Sequence, residues 1–214
     1  MRYETVLNLG AGKDILRPIG FPLPHPTDRK IFQVNVDSIY ESSEVNDHID
    51  IETMHKKFID STMDYSHHNI EFHQIIYNNL NAFDFLNKYK VQFDHIIMYR
   101  FMEHISRSNL LYFIYLLSTT VKIGGYLDII VPDYSLLSKR LLEEVVGGPG
   151  WENEDIILTT EFCNEPSMPH ASVWTTERAK YYLQLEKRFQ VTNIETPYIF
   201  DGRDIYMRII AQRI

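Results

Sequence analysis

Thr5–Asp14 reads TVLNLGAGKD, and this stretch decides the fold. Its first half, residues 6–9, is the short and mostly apolar run that is typical of a strand buried on both faces of a parallel sheet. Gly10 and Gly12 then break the run. Because glycine has no side chain, it suits a sharp turn out of a strand and lets a ligand approach the backbone. The stretch therefore predicts a first strand followed by a glycine turn.

A second apolar run, Ile31–Val36, ends in Asp37. A carboxylate at the tip of a second parallel strand, beside a glycine turn at the tip of the first, can accept both hydroxyls of a ribose. The third glycine of the dinucleotide fingerprint would fall at Ile15 and is missing, and four prolines lie within residues 18–26. Proline in a helix interior costs roughly 3 kcal/mol, so no long helix can follow the turn and cap a pyrophosphate. The pattern favours S-adenosylmethionine over NAD.

Composition and charge fit one α/β domain spanning residues 1–214. The net charge of −8 disfavours a non-specific nucleic-acid partner. The single cysteine, Cys163, rules out an internal disulfide and fits a reducing compartment. Since neither a signal peptide nor a bilayer-spanning apolar run is recognisable, we expect a cytoplasmic protein without a membrane partner. His67, His68 and His73 lack a recognisable ligand spacing, so no metal site is predicted.

Strand and helix signals alternate along the rest of the chain and predict its architecture. Strands are expected at residues 71–77, 93–99, 126–131, 190–198 and 205–212, and helices at 51–65, 108–122, 135–146 and 176–189. Ser108 is expected to cap the helix at 108–122, and Gly124–Gly125 to end it. This order predicts a doubly wound, Rossmann-like sheet of seven strands, mostly parallel with an antiparallel last strand. Residues 151–174 are long for a plain connector and form a candidate substrate loop.

Four motifs stand in order along nearly the whole chain. They are LNLGAG at Leu7–Gly12, VNVD at Val34–Asp37, FDHII at Phe93–Ile97 with EHI at Glu103–Ile105, and VKIGGYLDIIVPD at Val121–Asp133. Together they resemble the class I S-adenosylmethionine-dependent methyltransferases, and most of all a small branch of predicted methyltransferases often associated with sugar and surface-polysaccharide pathways. The resemblance implies transfer of a methyl group from S-adenosylmethionine to a small-molecule or saccharide acceptor, at oxygen. A catalytically inactive cofactor-binding scaffold and a nucleotide-sugar or NAD enzyme are the alternatives.

The resemblance also implies which residues bind the cofactor. They are Asn8, Gly10, Ala11 and Gly12 at the methionine part, Asp37 at the ribose hydroxyls, Asn81 and Ala82 at the adenine, and Tyr99 and Arg100 near the methionine part and the methyl group. Asn8 and Asn81 each stand where family members usually have an acidic residue. Asp84 is the alternative acceptor for the adenine amino group, and core packing is the alternative role of Tyr99.

An oxygen nucleophile needs a base to take its proton, and three residues are candidates. His104 belongs to a Glu-His pair and is expected to begin a helix after the fourth strand. Asp133 lies past the fifth strand, where capping the next helix is its alternative role. His170 lies in the candidate substrate loop. The sequence leaves all three open as catalytic residues.

Overall fold

The computed structural model describes residues 2–10, 29–37, 50–63, 73–144, 171–200 and 202–214. The strands are β1 (Arg2–Leu9), β2 (Arg29–Val36), β3 (His73–Asn78), β4 (Phe93–Tyr99), β5 (Val121–Pro132), β6 (Phe189–Phe200) and β7 (Arg203–Arg213). The helices are α1 (Ile51–Met63), α2 (Ala82–Lys88), α3 (Arg107–Thr120), α4 (Tyr134–Glu144) and α5 (Thr176–Gln184), with 3-10 turns at Met102–His104 and Leu185–Lys187.

The strands form one sheet in the order β3-β2-β1-β4-β5-β7-β6. The first five strands in the chain pair in parallel, and β7 runs antiparallel to both of its neighbours, β5 and β6. This confirms the predicted doubly wound, mostly parallel sheet with an antiparallel last strand. The strand order reverses between β1 and β4, which makes their carboxyl ends the topological switch point at which open α/β sheets bind ligands.

One face of the sheet carries the main apolar core. Successive side chains of a strand point to opposite faces, so Leu7 and Leu9 of β1 lie on the same side. Both are fully buried in a cluster that contains Phe85 of α2, Phe113 of α3 and Leu183 of α5. Burying an aromatic or leucine side chain is worth about 1.5–3 kcal/mol. Packing of the helices on this face is therefore the main source of stability among the described elements.

The opposite face carries a buried polar network near the middle of the sheet. Arg208 of β7 donates two hydrogen bonds to the Asp128 carboxylate of β5, and the Tyr99 hydroxyl donates a third at 3.0 Å. The Arg208 guanidinium also lies 5.6 Å from the centroid of the Tyr198 ring. Burial and the Asp128 charge both raise the pKa of Tyr99, so its hydroxyl stays protonated. The network joins four strands, β4 to β7.

The second predicted helix, expected at residues 108–122, ends earlier than expected. It stops at Thr120, and Gly124 and Gly125 lie inside β5, so the prediction that they end the helix is wrong. The pairing of β4 with β5 shifts register here, and a Cβ on Gly125 would lie only 2.6 Å from the carbonyl oxygen of Asp94. The pair of glycines therefore marks a strand irregularity in which the backbones approach closely.

Two other helix boundaries differ from the sequence prediction. Ser106, and not Ser108, is the N-cap residue of α3. The last predicted helix ends at Gln184 and is followed by a 3-10 turn in which Lys187 has a φ of +54°. Because a left-handed residue ends a helical segment, Phe189 begins β6 instead of ending the helix. Thr175 is the N-cap residue of α5, since its side chain accepts a hydrogen bond from the Arg178 backbone.

Replacing Arg208 by glutamine should lower the free energy of unfolding by about 3–5 kcal/mol, because Asp128 would remain buried without its cation. Lys122→Gln is the matched control, since Lys122 also pairs with an aspartate but both partners are about a third exposed, against about a tenth for the Arg208 pair. That loss should be about 0–1 kcal/mol. Urea denaturation followed by circular dichroism measures both, and equal losses would contradict the buried network.

Candidate functional site

Backbone hydrogen bonds join the strand ends at the carboxyl edge of the sheet. The Gly10 N–H donates to the last carbonyl of β2 at 2.9 Å, and the Asp37 N–H donates to the last carbonyl of β3 at 3.1 Å. Farther along the edge, the Arg100 N–H donates to the carbonyl of Ile130 in β5 at 2.7 Å. The residues directly after β1 and β2 are therefore held side by side, and the residue directly after β4 is tied to β5.

The turn after β1 depends on a contact between Gly10 and Phe101. Gly10 has a φ of +69°, which a residue with a side chain rarely adopts. A Cβ at this position would lie 2.4 Å from Cδ2 of Phe101, so the aromatic ring occupies the space that a side chain would need. Glycine is required here for two separate reasons. Ala11 and Gly12, the other predicted residues of the turn, lie outside the described residues.

Amide side chains within β1 and β2, and the carboxylate directly after β2, form a row on the polar face of the sheet. Asn8 is buried, and its Nδ2 donates to Oδ1 of Asn35, its register partner in β2, at 3.2 Å. Gln33 donates to the same oxygen at 2.8 Å. Nδ2 of Asn35 is buried without a hydrogen-bond partner in the described part of the chain. Asp37 follows two residues later, half-buried, and so continues the row on the same face.

Asn81 and Ala82 lie at the start of α2, which follows β3. Asn81 is the N-cap of this helix, with its Oδ1 accepting from the Asp84 backbone at 3.0 Å and its Nδ2 donating to the Asp84 carboxylate. Ala82 is buried at the first position of the helix. The two residues predicted as alternative acceptors for adenine are thus bonded to each other, and both are exposed.

Tyr99 ends β4 and Arg100 follows it, and the two have different surroundings. The Tyr99 hydroxyl is engaged by Asp128 in the polar network, and its ring lies edge-on to Phe200 at 5.7 Å. Its packing in the sheet agrees with the alternative role that the sequence left open. Arg100 has a φ of +52°, an uncommon conformation for a residue with a side chain. Strained backbone of this kind is found at functional sites more often than elsewhere.

Asp133, one of the predicted bases, is buried and fully engaged. Its Oδ1 accepts from the backbone N–H groups of Ser135 and Leu136, at 2.9 and 3.3 Å, which caps the start of α4. Its Oδ2 accepts from the Thr196 hydroxyl at 2.5 Å. The helix-capping role that the sequence left as an alternative is the one these contacts describe.

The post-β4 turn, residues 100–105, contains a residue that sequence reasoning set aside. Glu103 is 1% exposed, and its Oε2 has no hydrogen-bond partner among the residues described. Burial raises the pKa of Glu103 from 4.5 to about 8, against the opposing effects of its own backbone N–H and of the Arg100 charge. The only sequence signal for this residue was the Glu-His pair after β4, because its burial and its missing partner depend on the fold.

Residues 171–174, the end of the candidate substrate loop, pack directly on this turn. The N–H groups of Ala171 and Ser172 donate to the Glu103 carbonyl at 2.8 and 3.0 Å. The Trp174 carbonyl accepts from the Tyr134 backbone at 3.0 Å. His170 lies outside the described residues, directly before this anchored segment. His104 ends the 3-10 turn, so the prediction that it begins a helix is wrong.

Nowhere in the described residues does a helix combine the length and apolarity that a bilayer crossing needs. Across the same ranges, no group of three or more His, Cys, Asp or Glu side chains is placed to hold a metal ion.

Solved structures show what this arrangement of strands resembles. A methyltransferase dependent on S-adenosylmethionine from Methanosarcina mazei is similar over 100% of this chain and 94% of its own, at 13% identity and a TM-score of 0.56. A putative methyltransferase of the same dependence from Listeria monocytogenes is similar over 99% and 91%, at 11% identity and 0.52. The chain has the methyltransferase fold. An O-methyltransferase family protein from Burkholderia thailandensis shares it over 98% of this chain but only 51% of its own, at 14% identity and 0.51.

No protein-family model matches the sequence, and no match was found among curated proteins. At 11–14% identity the likeness is one of fold. In this methyltransferase fold Phe101, directly after β4, packs on the Gly10 turn at the switch point between β1 and β4, and the buried Glu103 follows two residues later. The Tyr99 hydroxyl is bonded to Asp128, and the two carboxylate oxygens of Asp133 are bonded to the start of α4 and to Thr196.

Gly10→Ala should destabilise the protein more than Gly202→Ala does. Gly202 has a similar φ of +76° but nothing within 4 Å of its Cβ position, so it reports the conformational penalty alone. That penalty is roughly 1–2 kcal/mol. Gly10→Ala adds the collision with Phe101, and chemical denaturation of both variants measures the difference. Equal destabilisation would show that the Phe101 contact is easily relieved.

Glu103→Gln should change how stability depends on pH. The pKa of Glu103 is higher in the folded protein than its value of 4.5, so between 4.5 and about 8 the folded state keeps a proton that the unfolded state has lost. The wild type should therefore lose stability relative to Glu103→Gln as the pH rises through this window. Below pH 4.5 the two curves should run parallel. Melting temperatures across the range test this, and a constant difference would contradict a protonated buried carboxyl.

Proposed function

We propose that the protein moves the methyl group of S-adenosylmethionine to a small-molecule or sugar acceptor, at oxygen, within one domain spanning residues 1–214. The observation that carries this proposal is the pair of features at the switch point. The Gly10 turn after β1 and Asp37 after β2 lie side by side at the carboxyl edge of a methyltransferase-fold sheet. A carboxylate at this place suits a ribose.

The polar groups near the edge fit the nucleoside part of this cofactor. Asp37 accepts hydrogen bonds only, which matches the two hydroxyl donors of a ribose. Nδ2 of Asn35 is a buried donor that lacks a partner among the described residues, and it lies two residues before Asp37. Asn81, with Asp84 as the alternative, is our proposal for the adenine contact, and Asn8, Gly10, Ala11 and Gly12 for the methionine part. A buried unpaired donor is costly, so a ligand oxygen at Asn35 would remove a penalty.

S-adenosylmethionine, when bound, supplies a methyl group already activated on a positively charged sulfur. The protein then has to hold an acceptor oxygen in line with that group, an effect that can lower the barrier by several kcal/mol. A base must also take the proton of the acceptor. Asp133 is poorly suited because both of its oxygens are engaged. His104 and His170 remain proposed bases, since His104 follows Glu103 in the turn that binds the segment 171–174, and His170 directly precedes that segment in the sequence.

The acceptor is proposed to lie against the loop at residues 151–174. The described end of this loop, Ala171 and Ser172, is bonded to the post-β4 turn and so ends beside the switch point. The net charge of −8 favours a neutral sugar or metabolite over a polyanion such as a nucleic acid. The O-methyltransferase name of the similar Burkholderia thailandensis protein agrees with an oxygen target. A cytoplasmic location stays a prediction.

Asp37→Ala should weaken the binding of S-adenosylmethionine roughly tenfold or more, because charge-assisted hydrogen bonds are worth about 1.5–3 kcal/mol each. Isothermal titration calorimetry measures this loss. Glu177→Ala, an exposed carboxylate in the first turn of α5, is the control and should bind normally. If Asp37→Ala binds as tightly as the wild type, another group holds the ribose.

Two companion measurements separate the alternative functions. A calorimetric comparison of NAD with S-adenosylhomocysteine should show binding of the second alone, and tight binding of NAD would overturn the cofactor assignment. Labelled cofactor should pass its methyl group to a member of an acceptor panel made of glucose, galactose, mannose and catechol. Cofactor binding without transfer to any of these would favour the inactive scaffold.

A further inference from the structure

We infer that Glu103 is the residue that faces the point of methyl transfer and takes the acceptor's proton. The inference rests on the proposed function and deepens it, because it assigns the base to a residue that the sequence had not nominated. It is carried by the burial of this carboxyl, by the lack of a partner for one of its oxygens, and by the way its backbone is held.

The unpartnered oxygen is the first observation. Glu103 is 1% exposed, and within the described residues its Oε2 makes no hydrogen bond. Buried carboxyl oxygens almost always have a partner, because an unsatisfied one costs about 1–3 kcal/mol. Asp128 in β5 and Asp133 directly after β5 are also buried, but their oxygens are engaged. An exception at the switch point of a ligand-binding fold is expected where a ligand supplies the missing partner.

The position of Glu103 is the second observation. It lies in the first turn after β4, two residues after Phe101, whose ring packs on the Gly10 turn. Two backbone N–H groups of the segment 171–174 hold its carbonyl, and the Ser172 hydroxyl donates to the neighbouring carbonyl of Met102 at 3.1 Å. The backbone of the turn is therefore held by the end of the proposed acceptor loop. A catalytic side chain needs this kind of fixed support.

The charges around the carboxyl are the third observation. Arg100, on the same turn, acts to lower the pKa of Glu103, and burial acts more strongly to raise it to about 8. Tyr134 of α4 is the titratable neighbour from the other side, where burial and the Glu103 charge raise its pKa to about 12. Residues 171–174 contribute no titratable side chain. A general base works best when its pKa lies near the operating pH, and the cationic sulfur of a bound cofactor would lower it further towards neutrality.

The chemical step balances with this residue as the base. The acceptor oxygen forms a bond to the methyl carbon, and the carbon–sulfur bond breaks with its electron pair remaining on sulfur. Oε2 of Glu103 takes the hydroxyl proton as the new bond forms. The proton passes to water when the products leave, which returns the carboxyl to its starting state.

The first test measures protons, and it needs no acceptor. At pH 7 most of Glu103 is protonated, since its pKa is about 8. Binding of the positively charged S-adenosylmethionine should ionise it and release up to about one proton per protein, whereas the neutral-sulfur S-adenosylhomocysteine should release fewer. Calorimetry in buffers of different ionisation enthalpy counts the protons. The amino group is common to both ligands, so the difference between them reports the charged sulfur.

Glu103→Gln should abolish the difference in proton release, and Glu177→Gln, an exposed glutamate of α5, should keep it. Loss of the difference in His104→Gln, with Glu103→Gln like the wild type, would overturn the inference in favour of the imidazole. A wild type that binds both ligands with equal proton release would overturn it as well. If S-adenosylmethionine does not bind at all, the proposed function itself fails, so the two failures are distinguishable.

A second measurement uses the wild type, so it tests the inference even if Glu103→Gln fails to fold. The infrared difference spectrum should show the C=O stretch of a protonated carboxyl disappearing when S-adenosylmethionine binds, and absence of that change would overturn the inference.

With any acceptor from the panel that takes the label, Glu103→Gln should lower turnover by roughly 10²–10⁴-fold. Its affinity for S-adenosylhomocysteine should stay within about threefold of the wild type, because that ligand lacks the charge that Glu103 would meet. Unchanged turnover would assign the proton to His104 or His170.

Discussion

The contact between Phe101 and Gly10 holds the carboxyl edge of this sheet together. β1 and β4 are paired only from Val6 to Asn8, so the hydrogen-bond ladder does not reach the turns that follow the two strands. Phe101 bridges that gap by filling the space of a missing Cβ on one side and packing against Phe113 of α3, at 5.8 Å between ring centroids, on the other. The geometry of both turns therefore depends on the apolar core beneath them.

The two faces of the sheet divide stability and chemistry between them. The face with Leu7 and Leu9 buries the helices α2, α3 and α5 in one apolar cluster. The other carries the amides of Asn8 and Asn35 and the network of Tyr99, Asp128 and Arg208. Hydrophobic burial is non-directional, whereas a buried polar network requires fixed geometry. The polar face can therefore hold its side chains in register at the edge while the apolar face supplies the driving force for folding.

Glu103 lowers the stability of the fold, because it is an ionisable group buried at the carboxyl edge of the sheet. A glutamine in its place would avoid the penalty of burying an ionisable group, so the wild-type residue weakens the fold at neutral pH. The structure compensates by holding the backbone of the turn with Ala171 and Ser172. Destabilising groups that persist in this way are characteristic of functional sites, because function and stability make different demands. The segment 171–174 thus links the proposed acceptor loop to the proposed base.

The sequence by itself determined the strands, their succession along the chain and the class of the fold, because periodicity, glycine turns and proline positions act locally along the chain. It also placed Gly10, Asp37 and the post-β4 turn at one edge, since parallel strands align their carboxyl ends. It misjudged Gly124–Gly125, whose close approach to Asp94 depends on a strand distant in sequence. Only the tertiary structure decided which polar residues are engaged: Asp133 with a helix terminus and Thr196, Tyr99 with Asp128, and Oε2 of Glu103 with no described residue. Hydrogen-bond partners and burial arise from contacts through space, and no local pattern of residues encodes them.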